Sequence, residues 1–344
     1  MEILAPDRYD ELEQFIQNHP RGEFTQSPRW RLVKNNWGYE AVVSRAADGS
    51  IRGAVSVLVQ KIPYLPTALL YAPRGPVCDP HDWETIADLK AGVDALARKY
   101  RAHEFKIDPD IPMTDGEFIR RMQEMGFVHS YGPEGFEGIQ ARFNYRLYIQ
   151  GRTEEELLAN CSQSVRRNIR KAQQAGVEVR VAGPDELDDF VRIMQVTGER
   201  DGFATRPGSY FRRMLEALGE NVRLYAGYYQ GRMISGAICT NYAGKCCYVY
   251  GASDNSDRQV MPNYLMQWEM IRWALETGCT VYDFQGVSGN LDENSHMYGL
   301  YRFKSGFRGS LDELAGEFDY IYSPLRKRLV DTLIALRATL RRRG

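Results

Sequence analysis

The chain has 344 residues, of which 43% are hydrophobic and 26% are charged, and its formal net charge is −1, a composition typical of a globular protein. No apolar run approaches the roughly 20 residues that span a bilayer, and the N-terminal residues lack the basic and apolar regions of a signal peptide. Six cysteines without a CxxC pair and five scattered histidines indicate a reducing compartment, which we expect to be the cytoplasm, and argue against a metal site.

The first half of the chain alternates helix and strand patterns. Helices are predicted over residues 8–18, 25–35, 83–98 and 116–126, and strands over residues 40–45, 53–60, 68–72 and 104–107, with a further strand ending at Leu147. The turn signal Asp48-Gly49 separates the first two strands, and Asp108 directly follows the fourth.

The second half shows the same alternation. Helices are predicted over residues 153–161, 164–175, 185–200, 207–218 and 262–276, and strands over residues 222–228, 234–242, 246–252 and 281–284. A last helix is predicted over residues 324–343, with Ser323 as its N-cap and Pro324 at its first position.

Short segments recur in the same order at an offset of about 175 residues. Residues 11–15, 48–55, 71–75 and 105–108 match residues 186–190, 230–238, 248–252 and 281–284, respectively. The repeat predicts an α/β protein with mixed sheets and two tandem GNAT-like acyltransferase domains. We expect domain 1 over residues 1–148, completed by the C-terminal helix 321–344, and domain 2 over residues 149–320.

The turn that would hold coenzyme A is atypical. A GNAT domain normally places a glycine-rich loop before a helix, so that backbone N–H groups bind the pyrophosphate. Residues 258–263 contain no glycine, and neither does their counterpart in the first half. Coenzyme A binding is therefore disfavoured, and no cofactor is predicted.

Several segments resemble the FemABX peptidyltransferases. They are residues 25–37, residues 164–172 with 176–179, and the terminal block of residues 282–287, 299–304 and 316–319. The resemblance covers nearly the whole chain, and because no charged heptad stretch is present it is to the compact FemX type without a coiled-coil arm.

The resemblance implies a function in cell-wall synthesis. Members of the family transfer an amino acid from aminoacyl-tRNA to the stem-peptide amine of a peptidoglycan precursor, which builds the interpeptide bridge and supports cell shape. For this chain the implied acceptor is UDP-MurNAc-pentapeptide or its lipid-linked form, and a monomer is expected. Contact with the inner face of the membrane is a further expectation.

The resemblance also implies roles for individual residues. Phe303 and Lys304 match positions near the transferred aminoacyl ester, and Asp108 matches a candidate general base. The acceptor-binding positions are Lys34, Trp37, Thr205, Arg206, Tyr210, Tyr250 and Glu317, with Lys34 and Arg206 at the diphosphate.

The residues themselves leave alternatives open for these roles. Lys304 can stabilise an oxyanion or bind a tRNA phosphate, but by spacing alone a surface lysine is the favoured interpretation. Arg206 precedes Pro207 at a predicted helix start, where a guanidinium and a helix N-terminus can share a phosphate. A solvated loop arginine is its alternative. Asp283 ends the strand equivalent to that of Asp108, and a structural role is favoured for it.

Two basic helices are candidates for contact with polyanions. Arg166, Arg167, Arg170 and Lys171 are predicted on one helix face, which either binds tRNA or is merely solvated. In the last helix a stripe of leucines at positions 329, 333, 336 and 340 is expected to pack on domain 1. Its basic residues, Arg326, Lys327, Arg328, Arg337 and Arg341 to Arg343, would then face tRNA or anionic lipid.

Two other functions remain open at this stage. A coenzyme A-dependent N-acyltransferase would use the same fold and would bind acetyl- or acyl-coenzyme A. A non-catalytic protein that binds tRNA or the precursor would show no activity for Lys304→Met to remove.

Overall fold

The computed structural model describes residues 1–341, with the side chains of residues 1–336, and it divides the chain into two units. Unit 1 comprises residues 1–132, 137–142 and 314–344, and unit 2 comprises residues 133–136 and 143–313. These boundaries differ from the predicted 148/149 and 320/321. Residues 143–148 pair with strands of unit 2, and residues 317–321 pair with strands of unit 1.

Unit 1 is built on a seven-stranded sheet in the order β1-β2-β3-β4-β5-β14-β6. Its neighbouring strands are antiparallel except β4 and β5, which are parallel. The elements are β1 (Glu2–Ile3), α1 (Tyr9–Asn18), α2 (Trp30–Val33), β2 (Gly38–Arg45), β3 (Ile51–Lys61), β4 (Ala68–Ala72), α3 (Trp83–Tyr100), β5 (Glu104–Ile107), α4 (Gly116–Glu124), β6 (Val128–Ser130), β14 (Glu317–Ile321) and α11 (Pro324–Arg341).

Unit 2 contains a second seven-stranded sheet, in the order β13-β7-β12-β11-β10-β9-β8. Here β11 and β12 form the parallel pair. The elements are β7 (Phe143–Tyr148), α5 (Glu154–Asn160), α6 (Gln163–Gln174), β8 (Glu178–Val181), α7 (Leu187–Asp201), α8 (Gly208–Leu218), β9 (Val222–Tyr229), β10 (Arg232–Tyr242), β11 (Lys245–Ser253), α9 (Pro262–Glu276), β12 (Val281–Val287), α10 (Tyr298–Ser305) and β13 (Ser310–Glu313).

The two sheets share one topology. When the second order is read backwards, β8 to β12 correspond to β1 to β5, and the parallel pair β11-β12 corresponds to β4-β5. In each sheet a strand distant in sequence, β14 or β7, adds antiparallel to the last of these. The predicted mixed α/β fold with two related units is therefore confirmed.

No described helix exceeds 18 residues, so residues 1–341 contain no coiled-coil arm. None of the helices described is long and apolar enough to cross a membrane. The predicted end of the last helix at Arg343 lies outside the described residues.

The predicted helix over residues 25–35 is wrong at its start, because side chains there bond to other backbone segments. Gln26 is fully buried; its amide donates to the carbonyls of Ser56 and Pro73 at 3.2 and 2.8 Å and accepts the Ser56 N–H at 2.9 Å. Helix α2 therefore covers four residues. The sequence patterns also missed the short strands β1, β6, β8, β13 and β14, each of two to five residues.

A charged cluster fixes the position of β14 in unit 1. The Lys106 ammonium on β5 lies 2.6 Å from the carboxylates of both Glu317 and Asp319 on β14. All three side chains are largely buried. Burial opposes the charge of Lys106, but the two carboxylates outweigh it and raise its pKa. The lysine therefore compensates two acids that water hardly reaches.

We expect Lys106→Met to lower the free energy of unfolding by about 3–5 kcal/mol, because it leaves two carboxylates buried without a cation. Urea unfolding monitored by circular dichroism measures this loss. The control is Lys99→Met, since Lys99 pairs with Glu40 at 2.6 Å but its side chain is 56% exposed. That change should cost less than about 1 kcal/mol, and equal losses in the two variants would contradict the assignment.

Candidate active site

The two parallel strands of unit 2 pair over a short stretch. Lys245 to Cys247 of β11 match Val281 to Asp283 of β12, and in the described register no further pairs follow. Beyond this point β12 contains a bulge, since Phe284 and Gln285 together lie opposite Tyr145 of β7. Gln285 has a φ of 63°, which re-aims the backbone carbonyls that follow. The bulge therefore frees carbonyls at the point where the strands part.

Lys304 on α10 satisfies these carbonyls. Its ammonium donates hydrogen bonds to the carbonyl oxygens of Gln285 at 3.2 Å and Gly286 at 2.8 Å, and the residue is 3% exposed. Burial lowers the pKa of Lys304 to about 7, and the nearby Asp283 carboxylate opposes this shift. Lys304 is therefore a buried group that can change its charge near neutral pH, which is unusual for a structural lysine.

Asp283 holds the backbone around the bulge. One carboxylate oxygen accepts the Gln285 N–H at 2.6 Å, and the other accepts Nε–H of Arg146 at 2.9 Å. Asp283 is 2% exposed, so both contacts are shielded from water. These contacts support the structural role favoured for Asp283 from the sequence.

Phe303 lies beside Lys304 and packs into the core of unit 2. Its ring centroid is 4.9 Å from that of Tyr264 and 5.9 Å from that of Phe307, both in edge-to-face arrangements. The contacts fix the rotation of α10 and hold Lys304 against the bulge.

Three of the predicted acceptor residues meet at the start of α8. Pro207 is the N-cap of this helix, and Arg206 precedes it with an exposed side chain. The Arg206 guanidinium lies 5.4 Å from the centroid of the Tyr210 ring, and the Tyr250 hydroxyl donates to the Tyr210 hydroxyl at 3.3 Å. Thr205 is half-buried and adjoins this group in sequence. The cluster places an exposed guanidinium beside two tyrosine side chains, of which Tyr210 is buried.

Asp108 directly follows β5 in unit 1. Because β5 corresponds to β12, the end of β5 is the counterpart of the point at Asp283 where β11 and β12 part in unit 2. Asp108 is 2% exposed, accepts the Tyr71 hydroxyl at 2.5 Å and accepts the backbone N–H of Arg74 at 2.7 Å. Burial raises the pKa of Asp108 to about 6, although Arg74 opposes the shift. The carboxyl can therefore exchange a proton near neutral pH.

The other predicted residues of unit 1 lie in different surroundings. Trp37 is half-buried, and its ring centroid lies 6.4 Å from that of Tyr71. Because the Tyr71 hydroxyl donates to Asp108, Trp37 is linked to Asp108 through Tyr71. Lys34 is half-buried, and its ammonium lies 5.7 Å from the centroid of the Trp30 ring. Glu317 accepts the Ile139 N–H at 2.6 Å as well as the Lys106 ammonium. Glu317 is thus held within the sheet of unit 1.

The predicted basic face of α6 is divided by the structure. The guanidinium of Arg166 donates to the carbonyls of Ala159, at 2.6 Å, and Cys161, so it ties α6 to the end of α5. Three cations, Arg167, Arg170 and Lys171, are exposed. The helix start adjoins the Lys304 segment, because the Ser162 N–H donates to the Gly306 carbonyl at 2.8 Å.

The sequence patterns did not indicate Tyr71 and Arg74, which hold Asp108. Residues 71–75 belong to the internal repeat, so their position was noticed but their contact with Asp108 was not. The bulge at Gln285 also had no sequence signal, because a non-glycine residue with positive φ is not expected there. Within residues 1–341, no group of His, Cys, Asp or Glu side chains is arranged to hold a metal ion.

Comparison with known proteins places these features in a family. A sequence model of the FemAB family matches residues 8–233 and 226–333. A lipid II:glycine glycyltransferase of Staphylococcus epidermidis is 29% identical over 384 residues, with 92% of each chain covered. This alignment is longer than the present chain, so the relative contains segments that have no counterpart here.

Solved structures agree with this result. The crystal structure of FemX has a TM-score of 0.88 and 28% identity, and the match covers 96% of this chain and 100% of that one. A tandem GNAT protein from the clavulanic acid biosynthesis pathway has a TM-score of 0.56 and 14% identity over 94% of this chain and 98% of its own, which shows the fold alone. The family match covers most of the chain, and the protein therefore belongs to the FemAB family.

Proposed function

We propose that this protein transfers an amino acid from an aminoacyl-tRNA to the stem-peptide amine of a peptidoglycan precursor, as a step in forming the interpeptide bridge. The observation that carries the proposal is Lys304, a buried ammonium held where β11 and β12 part. The naming of family relatives as lipid II:glycine glycyltransferases supports the reaction class.

The reaction is the aminolysis of an ester. The acceptor amine attacks the ester carbonyl, a C–N bond forms, and the carbonyl oxygen becomes a tetrahedral oxyanion. The C–O bond to the tRNA ribose then breaks, and the ribose oxygen takes up a proton. The ester is already activated, so positioning and stabilisation of the oxyanion are sufficient catalysis, and no covalent enzyme intermediate is needed.

In this scheme Lys304 stabilises the oxyanion, and Phe303 holds the helix that carries it. Its low pKa reflects burial of the ammonium, and the same burial strengthens its interaction with a new negative charge. Asp108 is the proposed acceptor of the proton that the attacking amine loses. Its carboxylate is held by Tyr71 and Arg74, and a pKa of about 6 leaves it mostly ionised at pH 7.

The acceptor is proposed to be UDP-MurNAc-pentapeptide or its lipid-linked form, both of which carry a diphosphate. Arg206 is exposed at the start of α8, so its guanidinium and the helix N-terminus can bind the same phosphate. Tyr210 and Tyr250 would then contact the rest of the acceptor. Lys34, Trp37, Thr205 and Glu317 complete the proposed acceptor-binding set.

The donor tRNA is proposed to lie along α6. Arg167, Arg170 and Lys171 are exposed, while Val165 and Ile169 bury the opposite face. Because the Ser162 N–H at the start of α6 donates to the Gly306 carbonyl, the start of this helix adjoins the segment of Lys304. A tRNA backbone on α6 would therefore lie near the proposed site of the ester. Arg166 contributes by joining α6 to α5.

The direct test is a transfer assay. We expect incubation with UDP-MurNAc-pentapeptide and a panel of charged tRNAs to increase the precursor mass by one aminoacyl residue for at least one donor. Mass spectrometry reads the product, and uncharged tRNA and acetyl-coenzyme A serve as controls. A mass increase with acetyl-coenzyme A and none with any charged tRNA, for either acceptor form, would refute the proposal.

We expect Lys304→Met to lower kcat by about 10²- to 10³-fold, the usual cost of removing an oxyanion-stabilising group. The working form of Lys304 is the ammonium, so wild-type kcat should fall as the pH rises above about 7. Lys304→Met should lose this alkaline limb as well as the rate. Single-turnover assays across pH, corrected for ester hydrolysis, measure both.

The control for this prediction is Lys99→Met, which removes an exposed lysine paired with Glu40 and should leave kcat and its pH profile unchanged. A Lys304→Met enzyme with wild-type kcat would refute the oxyanion role. A reduced kcat that keeps the alkaline limb would show that another group titrates.

We expect Arg206→Ala to weaken binding of the acceptor by about 10- to 100-fold, since it removes a charged hydrogen-bond donor to phosphate. Binding of tRNA should be unchanged, and Arg167→Ser with Arg170→Ser should have the opposite selectivity. Isothermal titration and filter binding measure the two ligands. Arg212→Ala on α8 is the matched control, and equal loss of both ligands in Arg206→Ala would contradict the assignment.

A further inference from the structure

Helix α11 exposes a row of leucines. Leu325, Leu329, Leu333 and Leu336 are 79%, 57%, 41% and 56% exposed. Their spacing of four, four and three residues places them on one face of the helix. Single exposed leucines are common on protein surfaces, but a contiguous row on one helix indicates a surface that meets another phase or partner.

The opposite face of α11 fastens the helix to unit 1. Val330 is 3% exposed, the Lys327 ammonium donates to Glu104 at 2.9 Å, and the Arg326 guanidinium donates to the Arg101 carbonyl at 3.1 Å. The expectation that the leucine stripe packs on the first domain is therefore wrong for Leu329, Leu333 and Leu336. The stripe's Leu340, with the side chains of Arg337 and Arg341 to Arg343, lies outside what the structure describes.

A second exposed apolar group lies at the same edge of unit 1. The turn between β3 and β4 carries Tyr64, which is 98% exposed. Thr67, at the end of this turn, donates to the Arg101 carbonyl at 2.8 Å, and Arg326 of α11 donates to the same oxygen. The turn and the start of α11 therefore meet at Arg101. We call the set Tyr64, Leu325, Leu329, Leu333 and Leu336 the edge surface.

The charges around the edge surface are mainly positive. The exposed cations next to it in sequence or contact are Lys61, Arg101, Arg326 and Arg328. From Pro324 to Gly344 the sequence has seven basic residues and one acidic residue, Asp331, whose carboxylate lies 3.4 Å from Lys327. An occupant of this surface must therefore accept leucines and a tyrosine as well as positive charge.

A bilayer with anionic lipids meets both requirements. Leucines on one helix face enter the boundary between headgroups and acyl chains, tyrosine is favoured at the headgroup level, and arginines and lysines bind anionic headgroups. A nucleic acid would use the cations but leave the leucines in water. A second copy of α11 would cover the leucines but bring two basic helices together, which like-charge repulsion opposes.

We infer that the edge surface is a membrane-contact surface, which seats α11 in the interface of an anionic bilayer. This membrane contact rests on the proposed function, because it would bring the protein to the membrane in which a lipid-linked acceptor lies. Binding to lipid can be measured without any transfer reaction, so the two proposals can fail separately.

The test is flotation of the full chain with vesicles of phosphatidylglycerol and phosphatidylcholine in equal amounts, compared with vesicles of phosphatidylcholine alone. We expect binding to the anionic vesicles, weakened by salt. Leu329→Glu with Leu336→Glu should weaken it by about tenfold or more. Lys61→Ser and Arg328→Ser should each weaken it by about fivefold, the usual contribution of one charge near an anionic surface.

Matched variants keep the test independent of folding. Val181→Glu changes an exposed apolar residue on β8 of unit 2 and should bind vesicles like the wild type. Tyr64→Ser alters the turn rather than the helix, so reduced binding in this variant as well would locate the contact at the edge surface. Circular dichroism and thermal unfolding check that each variant is folded.

Three results would overturn the inference: no flotation of the wild type, equal flotation with both vesicle types, or a leucine variant that loses a dimer or tRNA binding but keeps vesicle binding. Failure of the proposed function has a different signature. In that case the variants still change vesicle binding as expected, while the wild type transfers no amino acid to either acceptor form.

Discussion

The candidate site depends on one interaction, the bond of the Lys304 ammonium to the carbonyls of Gln285 and Gly286. A β-bulge in the middle of a sheet leaves carbonyls without a ladder partner, and an unsatisfied buried carbonyl is costly. Lys304 removes this cost by donating to both carbonyls. The same burial lowers the pKa of the lysine to about 7. The structural and the proposed catalytic role of Lys304 therefore have one physical origin.

The two units show how one topology supports different chemistry. Each has a parallel strand pair followed by an acid, Asp108 after β5 and Asp283 in β12. Asp283 has a guanidinium partner in Arg146, whereas Asp108 is held by a hydroxyl and a backbone N–H. Burial without a directly paired cation raises the pKa of Asp108, and this leaves it suited to proton transfer. The duplicated fold thus yields one acid for structure and one proposed for the reaction.

The exposed cations of the two basic helices, α6 and α11, lie in different surroundings. On α6 one arginine binds backbone carbonyls and the other cations face solvent over a buried apolar side, as in an ordinary amphipathic helix. On α11 the exposed face itself is apolar, and its cations lie beside it. A phosphate backbone suits the first arrangement and an anionic bilayer suits the second, because leucines gain free energy only where water is removed from them. The proposed contacts with a tRNA and with a membrane therefore use separate helices.

The sequence by itself determined the mixed α/β class, the internal repeat, the long helices and strands, and the family. These depend on local periodicity and on contiguous motifs, which a single chain displays directly. It also indicated Lys304, Arg206 and Asp108 as candidates, but not their surroundings. Only the tertiary structure decided that Lys304 is buried against a bulge and that Arg166 binds the backbone carbonyls at the end of α5. It also decided that Glu317 pairs with Lys106 and that the leucines of α11 face outward. These outcomes depend on contacts whose partners lie between 5 and 223 residues apart, and neither the local nor the distant contacts leave a periodic signal in the sequence.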